Sequence, residues 1–503
     1  MSYYFIFSVI CLLFARGGFT AAVGYPSGPV DLKAALSKPS MGWTSPNILS
    51  FPGQQSFINA TERWTVFDPP TYSASVTVRN EADVVKAVKI ARDLKIPFLA
   101  TGGRHGYGTT LGNLKNGISI DLSLLKTVTI DKHASTMTIG GGVRFRDMVD
   151  PLFAAGFQIQ TGTCSCPGMV GVTIGAGIGR LQGLYGLLSD ALISATVVTA
   201  SGKVLQVSET SNSDLFWGIR GAGANFGVIT SATYKVQPII NNGIFTSIDM
   251  VFTAAQNVSY FNTLASMVNG NGTFPAKLAA ITNVLYNTTS NQTEIITNWA
   301  YAGPREEALR VMAPILAVQP VFTNLTDVSW KNLNTETSFG FDAIICEPLG
   351  IRSIYSAALR TVSSNTAISV FAKLVDFYAK YPEGRGNTIS LESFPPQKVR
   401  EIPDSTSAYP WRQTITYLLI ELSWEAGSSV GDASNALGLE LRKDFAATSG
   451  YPDLTVYVNY AHGDEKLEQI YSAEKLPRLA ALKKTWDPEN LFAFNNPLPT
   501  HYP

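Results

Sequence analysis

The side chains best placed by type and company to do chemistry in this sequence are His105, Cys164, Glu421, Tyr457 and Tyr460. His105 sits within Thr101-Gly102-Gly103-Arg104-His105-Gly106-Tyr107-Gly108. A neutral imidazole is a nucleophile as well as a base, so this loop is equipped to bond covalently to a ligand. The plainer alternative is a turn histidine that touches only its own loop. Cys164 lies in Gly162-Thr163-Cys164-Ser165-Cys166-Pro167-Gly168. It is either a second attachment point, a buried thiol or a disulfide partner. Tyr457 and Tyr460 share the segment Tyr457-Val458-Asn459-Tyr460. Both are ionisable, but tyrosine ionises near about 10, so a nearby cation or bound cofactor must lower that value before either accepts a proton. Read as a strand, the segment turns one of the two toward the site. Glu421 follows Ile420 in the apolar run 414–424. Register decides which of that pair faces a ligand, because a slip of one residue turns every side chain to the other face.

Glycine surrounds these side chains. The Cys164 segment runs into Gly171-Val172-Thr173-Ile174-Gly175-Ala176-Gly177-Ile178-Gly179. A third segment reads Trp217-Gly218-Ile219-Arg220-Gly221-Ala222-Gly223-Ala224-Asn225-Phe226-Gly227-Val228-Ile229. Such backbone tolerates positive φ and close approach, and successive N–H groups in these turns form nests for phosphate oxygens. Residues 74–79 alternate like a strand, 81–94 carry apolar residues at helical spacing, and 96–100 form a second strand leading into the His105 loop. A β-α-β unit places that loop at the C-terminal end of a strand, where α/β folds bind ligands. Further strands are expected at 117–121, 137–140 and 228–236, a helix at 144–155 ended by Gly156, and a hairpin about Ser201-Gly202. From about residue 239 the glycine-rich loops give way to Asn/Thr-rich ones. Helical spacing recurs at 252–270, at 304–317 and in part at 352–373. Residues 384–408 read as a long polar, Pro-containing stretch, 414–424 as a buried strand, and 476–485 as a helix.

In this order, the three glycine segments, Tyr185-Gly186-Leu187 followed by Asp190, and Asp487-Pro488-Glu489-Asn490 resemble the vanillyl-alcohol oxidase superfamily. The resemblance is closest to the berberine-bridge-enzyme-like oxidases, and among them to secreted fungal members. It implies an α+β fold: a two-part FAD-binding domain of the PCMH type plus an α/β substrate domain with an antiparallel sheet. It implies FAD as cofactor. His105 would bond the flavin 8α-methyl, and Cys164, four residues before Gly168, would bond flavin C6. Pro167 replaces the usual branched residue there, and Cys166 offers a second sulfur. Gly102, Gly103, Arg104, Gly106, Gly168, Gly171, Gly175 and Gly177 would cradle the pyrophosphate, ribityl chain or ring. Asp190, Asn225, Gly227 and Ile229 would complete the cofactor contacts. Tyr460 would be the base, with Tyr457 and Glu421 as alternatives. Ile178 stands where relatives often carry an aromatic residue. The implied reaction removes a hydride from an alcohol or related group of a small organic metabolite, as in fungal secondary metabolism, with O2 as acceptor. A secreted carbohydrate oxidase is one alternative, with Tyr409, Trp411 and Trp424 as sugar platforms. A flavin-carrying cyclase or a binding protein without turnover is another.

The chain has 503 residues, no net formal charge, and is 45% apolar. That length exceeds one small core. The expected divisions are a signal peptide (1–22), an N-terminal arm (23–66), the FAD-binding domain (67–238), the substrate domain (239–450) and a C-terminal segment (451–503) packing back on the FAD domain. Zero net charge argues against nucleic acid and against an electrostatic membrane partner. The short apolar run at the start, followed by Thr20-Ala21-Ala22, has the pattern of a secretory signal, with no membrane contact after cleavage. Sequons at Asn59, Asn257, Asn271, Asn287, Asn291 and Asn324 fit an N-glycosylated secreted protein. Without Cys11 the chain keeps Cys164, Cys166 and Cys346, an odd number that leaves one thiol without an internal partner. A bridge between residues i and i+2 is strained, so a Cys166–Cys346 disulfide with Cys164 left for the flavin is the expected arrangement. The sequence has no Walker-type motif, no Gly-x-Ser-x-Gly elbow and no clustered His/Cys set, so no metal is expected.

Overall fold

The computed structural model describes residues 31–348 and 350–502; the expected signal peptide lies outside them. The β-α-β unit is present. Strands Tyr72–Thr77 and Phe98–Thr101 flank Gly117–Asp121, both parallel to it, and helix Glu81–Asp93 connects the first pair. That helix forms because Val84, Ala87, Val88 and Ala91 recur at helical spacing and pack on Ala74, Val76, Ile118 and Ile120. The Asn80 side chain accepts the Asp83 N–H and caps its first turn. A second sheet of five antiparallel strands follows, in the spatial order Val128–Asp131, Thr136–Gly140, Val228–Lys235, Leu192–Val198, Val204–Ser208. Helices Phe145–Ala154 and Ser213–Ala222 complete its core. The His105 loop leaves the first sheet after Phe98–Thr101, the Cys164 segment follows the short strand Phe157–Gln158, and the third glycine segment lies in helix Ser213–Ala222 and the turn that leads into Val228–Lys235.

A third sheet has seven antiparallel strands: Phe322–Ser329, Ile244–Thr253, Gln292–Tyr301, Leu278–Asn287, Thr388–Ser393, Thr416–Ser423 and Arg352–Leu359, in that order across the sheet. One face carries Ala280, Val284, Ile389, Leu391, Leu418, Ile420, Leu422, Tyr355 and Ala357 against helices Asn257–Asn269, Ser364–Lys380 and Gly431–Ala447. The alternate residues Ile281, Asn283, Ser390, Glu392, Leu419, Glu421 and Ile354 face a cavity between this sheet and the glycine-rich loops. The expected α+β architecture, with an antiparallel sheet in the part beyond residue 239, is therefore what the chain adopts.

Some local expectations differ. Residues 252–270 open on the end of a strand, and their helix starts only at Asn257. Residues 352–359 are a strand, with the helix beginning at Ser364. That strand is almost wholly buried, and such apolar runs carry no clear period. The polar stretch 384–408 contains a mid-sheet strand, Thr388–Ser393, whose Ser and Glu residues look polar because one face lines the cavity.

Chain ends close the molecule. Helix Leu476–Trp486 packs on Ser213–Ala222 through Leu479 and Leu482 against Trp217 and Ile219. Buried Lys483 bonds Asp487 at 2.7 Å, the Asn225 carbonyl at 3.0 Å and the Phe492 carbonyl at 2.8 Å. On the other side, Thr65 forms a parallel bridge with Gly350, and its hydroxyl donates to the Arg352 carbonyl at 3.0 Å. The N-terminal arm is thus stitched to the third sheet. Among the described residues no helix is long and apolar enough to cross a membrane. Of the six sequon asparagines, Asn59, Asn271, Asn291 and Asn324 are exposed, while Asn257 and Asn287 are half-buried.

Candidate active site

The cavity holds about 660 Å3 and is lined from the glycine-rich loops, the third sheet and the C-terminal segment. Strand Phe98–Thr101 delivers the Gly102–Gly108 loop to its floor. Gly103 and Gly168 meet here so closely that a Cβ on Gly103 would lie 2.2 Å from the Gly168 nitrogen. Only bare backbone lets the His105 and Cys164 loops touch. The consequence is that a ring nitrogen of His105 and Sγ of Cys164 come within 4.8 Å of each other. Cys166 is bonded to Cys346, with their Cα atoms 5.7 Å apart, and Cys164 is the one cysteine outside a disulfide among the described residues. That is the expected pairing. Burial pushes the Cys164 thiol well above its ordinary value, with Asp342 and Glu392 adding to the effect. Burial and the guanidinium groups of Arg352, Arg144 and Arg63 pull His105 down to about 3, so its imidazole is neutral. His105 Nε2 is buried and has no hydrogen-bond partner.

The facing wall carries the titratable groups. Tyr460 donates its O–H to Glu392 at 2.7 Å, and Thr163 donates to the other Glu392 oxygen at 2.8 Å. Burial raises Glu392 above the usual carboxylate range, and burial together with Glu392 raises Tyr460 well above 10. Tyr457 is differently occupied. Its oxygen accepts the Gly177 N–H at 3.1 Å and the Asn459 side chain at 2.8 Å, and burial pushes it up to about 12. Tyr457 and Tyr460 both line the cavity, with ring centroids 4.9 Å apart. They sit at a 3-10 turn, Val458–Tyr460, where a three-residue spacing keeps both on one side, and not on the expected strand. The register question resolves in favour of Glu421: Ile420 belongs to the helix-covered core, while Glu421 faces the cavity, 3.5 Å from the Arg352 guanidinium.

Gly102, Gly103, Arg104, Gly106, Gly168, Gly171, Gly227 and Ile229 also line the cavity. Four expected cofactor contacts do not. Gly175 is where Asn459 presses in, since a Cβ there would lie 2.1 Å from that side chain. Gly177 has φ of +79° and offers its N–H to Tyr457. Asp190 is spent in a buried pair with Arg412, at 2.8 and 3.1 Å. Asn225 is fully buried and holds the tail, accepting the Leu498 N–H at 2.8 Å and bonding the Asn496 carbonyl. These residues build the cavity wall from behind. The expected sugar platforms Tyr409, Trp411 and Trp424 lie outside the cavity as well; Tyr409 is fully buried, and the Trp411 indole bonds the Ile470 carbonyl.

Sequence reasoning missed Glu392, Tyr107, Trp64 and Arg352, all of which line the cavity. Two of them had a readable signal. Tyr107 belongs to the His105 loop, and the period-two run Thr388-Ile389-Ser390-Leu391-Glu392 alternates apolar residues with polar ones. Trp64 and Arg352 had none, because 288 positions separate the groups they join.

Residues 72–208 match the FAD binding domain family, and residues 456–499 match the berberine and berberine-like family. An FAD-linked oxidoreductase of Pyricularia oryzae is 51% identical over 91% of this chain and 90% of its own length. Another, from Neurospora crassa, is 46% identical over 97% of each chain. This chain belongs to the berberine-bridge-enzyme-like FAD-linked oxidoreductases. Solved structures agree on the fold. The berberine-bridge-enzyme-like protein 1 of Physcomitrella patens superposes with a TM-score of 0.79 at 21% identity, over 90% of this chain and 97% of that one. A carbohydrate oxidase from Microdochium nivale gives 0.77 at 21% identity, over 93% and 99%.

The oxidoreductase's cavity fits its cofactor. His105 Nε2 and the Tyr107 hydroxyl are buried polar atoms without partners, which folded proteins rarely leave so. The loop glycines present bare backbone to the cavity, and a Cβ on Gly171 would meet nothing within 4 Å. Phe98, Leu122, Ile178, Val228 and Ile229 supply apolar walls for a ring system.

Proposed function

We propose that this FAD-linked oxidoreductase oxidises an alcohol or related group of a small, partly apolar organic metabolite, with O2 as the final acceptor. The observation that carries this reading is the Tyr460–Glu392 hydrogen bond on the wall of the cavity that also holds His105 and Cys164. When bound, FAD supplies a two-electron hydride acceptor. The chain supplies the proton chemistry. Tyr460 is held protonated by its surroundings, so it serves as a relay: its oxygen takes the substrate hydroxyl proton as its own proton passes to Glu392. A carboxylate raised by burial is a stronger base than an ordinary one, which suits that task. Ile281, Ile354 and Leu419 give the substrate an apolar bed, and Asn283 and Ser390 offer polar groups beside it.

His105 and Cys164 are the proposed attachment points. Their spacing suits neighbouring positions on one edge of the isoalloxazine, and the Cys166–Cys346 bridge leaves Cys164 uncommitted. The domain divisions read from the sequence, entry into the secretory pathway and glycosylation at the exposed sequons belong to the same reading. The test is made on the purified protein. Acid denaturation is expected to leave fluorescent flavin on the polypeptide, less of it after either His105→Ala or Cys164→Ala, and none after both. Turnover is then read as hydrogen peroxide released from a panel of small aryl and alkyl alcohols set against chito- and xylo-oligosaccharides. Peroxide from the sugars alone would overturn the metabolite reading.

A further inference from the structure

His105 is the residue whose ring orientation matters most for attachment, yet no hydrogen bond fixes its Nε2. Ligand histidines are usually oriented through the nitrogen that does not react. Here an aromatic contact bears on the plane of the ring. The Trp64 ring lies parallel to the His105 ring, centroids 4.3 Å apart and planes 16° apart. The Arg352 guanidinium carbon sits 4.4 Å from the Trp64 ring centre. The indole is itself held. Its Nε1 donates to the Ile345 carbonyl at 2.5 Å, its backbone N–H donates to the Arg104 carbonyl at 3.2 Å, and Arg352 Nη1 donates to its carbonyl at 2.5 Å. Arg352 in turn bonds the Glu347 carbonyl at 3.0 Å and faces Glu421. The order of dependence runs from Arg352 to Trp64 to His105.

We propose that Trp64 and Arg352 are positioning residues for covalent flavin attachment: the indole fixes the plane of the His105 imidazole, and Arg352 fixes the indole. The inference rests on the reading of His105 as an attachment point. In that attachment a bond forms between a His105 ring nitrogen and the flavin 8α-methyl carbon. One methyl C–H bond and the imidazole N–H bond break. The two electrons and two protons so released reduce the flavin, and O2 then takes them as hydrogen peroxide. Orientation counts in such a step, because a misplacement of about 1 Å costs roughly a hundredfold. Trp64 comes from the N-terminal arm, His105 from the first sheet and Arg352 from the third. His105 is therefore correctly aimed only after the third sheet has closed over the flavin unit, which couples cofactor fixation to completion of the fold.

The test isolates the histidyl bond by using full-length Cys164→Ala protein as parent. Trp64→Leu, Trp64→Phe, Arg352→Met and His105→Ala are added to it singly. Each variant is incubated aerobically with FAD for a fixed time. The ratio of acid-stable to total bound flavin is measured, the His105 peptide is weighed by mass spectrometry, and Tm is recorded. Trp64→Leu and Arg352→Met are expected to lower the ratio roughly tenfold or more while total flavin and Tm stay near the parent's. Trp64→Phe, which keeps a ring to stack on, is expected to restore most of it. A Trp64→Leu ratio equal to the parent's overturns the proposal, as does a parallel loss of covalent and total flavin. If the His105→Ala variant keeps acid-stable flavin, the attachment reading itself is what has failed.

Discussion

Glu392 gives Tyr460 a proton acceptor, and this separates it from Glu421, whose charge is already engaged by Arg352 at 3.5 Å. The relay predicts that Glu392→Gln and Tyr460→Phe each lower the rate of substrate-driven flavin reduction by about 10²- to 10⁴-fold while total bound flavin is unchanged. Stopped-flow absorbance separates those quantities, and loss of flavin in step with rate would sink the relay. The pH profile follows with a definite sign. Glu392 acts as acceptor only when ionised, so activity falls as pH drops through its value. Burial raises that value, so the acidic limb of the wild-type profile should lie above the usual carboxylate range of about 4.3. In Glu392→Gln that limb should vanish from the residual activity.

At the scale of elements, the wall is held from behind by groups that resemble site residues in sequence. Asp190 follows the Tyr-Gly-Leu segment, yet it clamps Arg412 in a pair that is 5% and 3% exposed by side chain. It also caps the Leu187 N–H at 2.8 Å. Removing one partner leaves a buried charge alone, which costs about 3–5 kcal/mol. Arg412→Ala should therefore reduce stability by that order in chemical denaturation, with flavin loss following unfolding rather than preceding it. The β-α-β unit and the glycine loops were legible in the sequence, because local period and backbone need are written in neighbouring residues; the run 414–424 was legible as a buried strand but not in its register, so Ile420 and Glu421 were told apart only by the fold. Glu392 was missed although its run alternates with period two, because the cavity-facing positions of that strand are polar and the stretch reads as loop. Asn225 and Gly175 misled for the opposite reason: both are demanded by the tail, through Leu498 and Asn459, and the Asn225–Leu498 bond alone spans 273 positions.

For the molecule as a whole, the cavity is a seam between the flavin-type loops and the third sheet, and its integrity depends on what crosses that seam. The Thr65–Gly350 bridge crosses at one side and the Cys166–Cys346 disulfide at another. Ser165 reinforces the second crossing, its N–H and hydroxyl both bonding Asp342 at 2.7 and 2.6 Å. The disulfide joins residues 180 positions apart, so its removal frees a long loop in the unfolded chain. Cys346→Ser should cost about 2–4 kcal/mol of stability on that ground. The effect should be local as well as global, since Cys346 ends helix Phe341–Ile345, which carries cavity residues Phe341 and Ile344 and the Ile345 carbonyl that anchors Trp64. Thermal melts and limited proteolysis of Cys346→Ser should show a lower Tm and earliest cleavage near residues 338–348, with FAD still bound below the transition. An unchanged Tm would show that the hydrogen bonds to Asp342 close the seam without help from the covalent link.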